Sequence, residues 1–77
     1  MPKAFVLIKA EVGRENNVLE KLKELEAVKE AYIVYGGYDI VAKVAAENMN
    51  KLKEVVSTHI RRIDAVYSTA TLVVIES

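Results

Sequence analysis

The segment YGGYDIVAKV (residues 35–44) sets Gly36, Gly37, Tyr38 and Asp39 between two apolar stretches. Glycine permits the positive φ of a tight hairpin and lets a ligand or another backbone come close. An aspartate just inside a strand is disfavoured there and needs a donor. Two donors fit: a nearby backbone N–H that closes the turn, the commoner role, or the ammonium group of a bound small molecule. A second stretch, YSTATLV (67–73), puts Thr69 and Thr71 on one face of a strand, with Tyr67 beside them and Ser68 opposite. Threonine is an ordinary strand former, yet its hydroxyls can also offer donors and acceptors to a small zwitterion.

Other candidates have simpler explanations. His59 has no fixed acid near it in sequence, so a helix-surface histidine accounts for it better than a general base. Arg61 and Arg62 suit the negative end of a helix dipole without any bound phosphate. Gly36-Gly37 joins two strands rather than opening a helix, so it is no phosphate loop. No catalytic set emerges. With no cysteine and one histidine, neither a metal site nor another cofactor is expected.

These residues sit in a chain of 77, enough for one domain with a thin core. Disulfides cannot brace it, and a hydrophobic share of 52% points to burial between copies. Eleven basic and eleven acidic residues cancel and are interleaved, which gives no reason to expect direct nucleic-acid binding. The start, Met1-Pro2-Lys3-Ala4, lacks the pattern of a signal peptide, and no apolar run approaches a membrane span. A cytoplasmic protein without membrane contact is the expectation.

Periodicity orders the elements. KAFVLIKAEV (3–12) reads as a strand ending at Gly13; residues 14–27 read as a helix with Val18, Leu22 and Leu25 on one face and Leu19 beside them. Strands follow at 28–36 and 38–46, separated by the glycine bend. Asn48 can cap a second helix at 49–63, with a stripe of Met49, Leu52, Val56, Ile60 and Ile63. Residues 65–77 form a last strand of β-branched residues. The order βαββαβ predicts an α+β, ferredoxin-like fold: a four-stranded antiparallel sheet with both helices on one face.

Two helices cover only one face of such a sheet. Alternation splits β residues into Val6, Ile8 and Ala10 against Phe5 and Leu7, and Ile40, Ala42 and Val44 against Asp39, Val41 and Lys43. The second strand divides Ala31, Ile33 and Tyr35 from Tyr32 and Val34. Either choice leaves large apolar groups in the open, so a second copy packed as a symmetric dimer is expected.

Taken together, VKEAYIVYGGYDIVAKV, an amphipathic helix and IRRIDAVYSTATLVV resemble the effector-binding (RAM) domain of the Lrp/AsnC regulators over nearly the whole chain. The most specific parts are a G-x-Y-D bend, Gly36 to Asp39, and a T-x-T, Thr69-Ala70-Thr71. The resemblance implies a dimeric α/β barrel with sheets face to face. It implies assembly of dimers into rings from tetramer to decamer, the octamer favoured, with an amino-acid effector bound between dimers. Carried across, Gly36, Gly37, Tyr38 and Asp39 would line that site, with Thr69 and Thr71 as neighbours. The ammonium would meet Asp39 or backbone carbonyls, and the carboxylate the N–H groups exposed by the glycines.

The regulators carry a helix-turn-helix domain before this one, whereas this sequence starts at the first strand. The resemblance is therefore to stand-alone members, which either modulate full-length Lrp/AsnC relatives as partners or simply sense an amino acid. Ile63-Asp64-Ala65-Val66 stands where the family often has Pro-Gly-Val, which puts the geometry of that loop in question. Rival readings are a small dimeric α/β-barrel enzyme of monooxygenase or isomerase type, or an ACT-like amino-acid-sensing module. The first needs a polar catalytic group in its cleft, and the second usually regulates an attached enzyme.

Overall fold

Alternation in β1 (Lys3–Ala10) sends Ala4, Val6, Ile8 and Ala10 into the core and leaves Phe5, Leu7 and Lys9 on the other face. The computed structural model describes residues 1–76. After β1 come α1 (Glu15–Lys23), β2 (Val28–Ile33), β3 (Ile40–Ala45), α2 (Met49–Glu54) and β4 (Val66–Val73), with a π-helical segment (Val55–Ile60) continuing α2. All strand pairs are antiparallel, in the order β2-β3-β1-β4, which is the ferredoxin-like arrangement expected. Ser77, the end of the expected last strand, lies outside the described residues.

The turn into α1 is closed by the Arg14 N–H donating to the Glu11 carbonyl at 2.9 Å, and Gly13 supplies its positive φ of 85°. Val18 and Leu22 of α1 are buried, and Leu19 and Leu25 pack against the same core. Asn48 caps α2 as expected, its Oδ1 accepting the Lys51 N–H at 2.9 Å.

The second helix departs from the expected regular run over 49–63. Val55, Val56 and Thr58 are β-branched and fit an α-helix poorly, and the Ser57 hydroxyl donates back to the Lys53 carbonyl at 2.8 Å. The coil widens there, and the Arg61 N–H reaches back five residues to the Val56 carbonyl at 3.0 Å. Leu52 and Ile60 are buried, whereas Met49 is exposed.

Register settles which face the helices cover. Val6 pairs with Ala42 and Ile8 with Ile40, and all four are fully buried. The open face carries Phe5, Leu7, Tyr32, Val41, Ala70 and Leu72, aligned across neighbouring strands. Phe5, Tyr32 and Leu72 are 39%, 55% and 55% exposed. Lys43 spans this face to Glu30 at 3.5 Å, and the Tyr32 hydroxyl donates to Glu30 at 2.6 Å. Among the described residues no helix is long and apolar enough to cross a membrane.

Candidate functional site

The bend between β2 and β3 is held at its base by three hydrogen bonds. The Val34 N–H donates to the Asp39 carbonyl at 2.8 Å, and the Asp39 N–H donates to the Ile8 carbonyl at 2.9 Å. The Asp39 Oδ2 then accepts the Ala10 N–H at 2.9 Å. The acid's donor is thus a backbone N–H, but one on β1, 29 residues away, rather than one inside the turn. Beyond Ile40, β3 no longer offers Ala10 a backbone carbonyl in register, and the carboxylate takes that place.

Gly36 has φ +151°, a conformation that L side chains rarely adopt. Around both Gly36 and Gly37, the direction a Cβ would take is open space to 4 Å. Close packing within the protomer therefore does not explain either glycine. Tyr35 is fully exposed, and Tyr38 is half-buried beneath Lys9, whose Nζ stands 5.6 Å from the ring centre. Lys9 was not marked by any motif in the sequence; alternation groups it with Phe5 and Leu7, and the burial of Val6 and Ile8 makes that the open face.

Thr69 and Thr71 do share a face, as the alternation predicted. They pair with Ile8 and Val6, so that face is the helix side of the sheet. A bulge shifts the register between Lys9 and Ala10 and leaves Tyr67 as the extra residue on β4. Thr71 lines an apolar groove of about 260 Å³ with Met49, Leu52, Val56 and Val73. Thr69 lies instead in a polar concavity of about 240 Å³ shared with Arg61, Val66, Tyr67 and Ser68.

Gly36 to Asp39 are brought together by the bend itself. Thr69 is not joined to them within the protomer. The row Ile40–Ile8–Thr69 crosses three strands, which separates Thr69 from the start of β3 by about 10 Å at ordinary strand spacing. Asp39 lies in the bend just before β3, with its carboxylate turned to the Ala10 N–H of β1. His59 is exposed on the π-helical segment, and among the described residues no group of three or more metal-ligating side chains converges.

Of the exposed ion pairs among the described residues, two shift the acidity of their partners. Arg14 Nη2 meets Asp64 Oδ2 at 2.7 Å, a contact that raises the guanidinium pKa and holds the carboxyl below its ordinary range. The Tyr32 hydroxyl, and after it Lys43, does the same for Glu30, while the tyrosine pKa is raised in return. Ala65 follows Asp64 with φ 79°, a left-handed conformation for a buried alanine. Its carbonyl accepts the Glu11 N–H at 2.9 Å. The loop without Pro-Gly therefore keeps a glycine-like turn at the cost of local strain.

The Lrp/AsnC ligand binding domain model matches residues 3–77. Regulatory protein AsnC of Escherichia coli K12 is 38% identical over 61 residues, covering 79% of this chain and 40% of the relative. HTH-type transcriptional regulator FL11 of Pyrococcus furiosus is 32% identical over 73 residues, covering 95% of this chain and 48% of the relative. The chain thus spans less than half the length of these curated regulators. The crystal structure of TTHA0845 from Thermus thermophilus superposes with a TM-score of 0.95 at 36% identity, covering 100% of this chain and 96% of that one. With a family match over almost every residue and a structure similar from end to end, the chain belongs to the Lrp/AsnC family, as a ligand-binding domain of that family.

Proposed function

We propose that residues 1–77 act as a single amino-acid effector-binding and oligomerisation domain in transcription regulation, making and breaking no covalent bond. The bend carries this reading: Asp39 is braced by Ala10 through one oxygen, while the glycine faces beside it open outward. An aspartate fixed in this way can present its second oxygen to an ammonium group without reorganising. The exposed apolar sheet face supports a face-to-face dimer. The separation of the bend from Thr69 and Thr71 supports a pocket completed by another copy when dimers assemble. On this reading the domain works in the cytoplasm, binds no DNA by itself, and meets full-length relatives as partners. Effector occupancy shifts assembly by its differential affinity for the assembled state.

A thermal-shift screen of the free amino acids tests this directly. A ligand that binds the native state must stabilise it, so at least one amino acid at millimolar concentration should raise the melting temperature. No shift with any of them would contradict the proposal.

A further inference from the structure

Three departures from regular backbone surround the concavity of Arg61, Val66, Tyr67, Ser68 and Thr69. The π-helical segment ends in the Arg61-to-Val56 hydrogen bond, which fixes where Arg61 leaves the helix. Ala65 holds its left-handed φ, and the bulge at Tyr67 resets the side chains that follow. Such features cost free energy and recur where a side chain has to be aimed. Here they bracket one guanidinium and three hydroxyl-bearing residues. No acid lines the concavity, and the carboxylate of Asp64, close by in sequence, is paired with Arg14. Among the described residues Arg61 makes no ion pair within 4.0 Å.

We propose that Arg61, with the Thr69 hydroxyl on the helix side of β4, receives the carboxylate of the amino-acid effector. This rests on the effector-binding reading and deepens it. A guanidinium offers a planar fork to both carboxylate oxygens, a stronger contact than the neutral N–H groups of the glycine bend. Its charge also offsets the negative end of its own helix, which would otherwise repel an anion. Asp39, just before β3, is separated from Thr69 by the intervening strand β1, so the two ends of the effector are held by different copies. One copy supplies the bend for the ammonium, and another supplies the start of β4 for the carboxylate. An effector must then carry both charged groups, and a simple amine does not suffice.

The test is calorimetric titration of wild type, Arg61→Gln and Arg61→Lys with the twenty L-amino acids and their α-carboxamides. Arg61 is exposed, and unchanged melting temperatures establish that the variants fold. An amino acid that binds wild type should bind Arg61→Gln at least tenfold more weakly, with Arg61→Lys intermediate. The α-carboxamides should distinguish none of the three proteins. Equal affinity of wild type and Arg61→Gln for the free amino acid overturns the assignment and leaves effector binding standing, with the carboxylate at the glycines. Failure of wild type to bind any of the twenty overturns the effector reading and this assignment with it.

Discussion

The Asp39 carboxylate accepts the Ala10 N–H at 2.9 Å, tying the hairpin bend to the far end of β1. Ala10 is buried, so removal of this acceptor strands a donor away from water. Asp39→Ala should therefore destabilise the fold by about 1–3 kcal/mol. Asp39→Asn keeps an acceptor oxygen of the same shape and should stay within about 1 kcal/mol of wild type. Urea unfolding midpoints of the two variants check this, and equal losses would show that the hydrogen bond is not what braces the bend. The asparagine variant also separates folding from ligand recognition, since it keeps the brace and loses the charge.

Ala65 sets two effects against each other. A left-handed alanine costs about 1–2 kcal/mol, which glycine would relieve. The same change removes a buried methyl worth about 0.8 kcal/mol and adds about 0.5–1 kcal/mol of unfolded-chain entropy. Ala65→Gly should thus change stability by less than about 1 kcal/mol. Ala65→Val, with a branched side chain in the same strained turn, should lose about 2 kcal/mol or more. Thermal melts of both variants decide, and a harmless valine would contradict the strained turn.

Acid should weaken the fold through Asp64 and Glu30. Each carboxyl has a lower pKa folded than unfolded, Asp64 through Arg14 and Glu30 through the Tyr32 hydroxyl and then Lys43. Their stabilisation is complete above the unfolded values, about 4, and is lost as pH falls through the lowered folded values. Both sites are exposed, so the effect is small and screened by salt. Asp64→Asn should show a shallower fall in melting temperature below pH 4 than wild type. Tyr32 has the opposite sign: its raised pKa stabilises the fold below about pH 10, a contribution lost as pH rises through the folded value. Tyr32→Phe should flatten the alkaline limb, and parallel curves in either comparison would contradict these assignments.

The open face predicts an association defect separate from folding. Leu72 is 55% exposed in the protomer, so Leu72→Glu should leave the melting temperature of dilute protein nearly unchanged. In a dimer packed through that face it buries a charge and should raise the dissociation constant at least tenfold. Light scattering at micromolar concentration measures the mass, and a variant with wild-type mass would exclude this face as the interface.

Element order was legible because apolar periodicity changes cleanly between Ala10, Leu22, Ile33 and Ile60 as strands and helices alternate. Face assignment was not, because both sets on β1 are apolar: Val6 and Ile8 lie inside, while Phe5 and Leu7 are equally hydrophobic. The π-turn left only a weak trace in Val55-Val56-Ser57-Thr58, since its defining bond joins Arg61 to Val56. The need of Asp39 for a donor could be read locally, but its partner Ala10 is a long-range product of strand pairing. The glycine bend was therefore recognisable as a motif, while the role of Arg61 beside Thr69 depended on a bulge that alternation does not foretell.

Sedimentation velocity across a concentration series, with and without each stabilising amino acid, tests most directly whether the effector is bound between copies. A pocket shared by copies predicts that the effector shifts the distribution between assembly states, that the shift saturates with binding, and that Asp39→Asn abolishes it. An amino acid that binds with full occupancy while the distribution stays unchanged at every concentration would contradict the shared pocket.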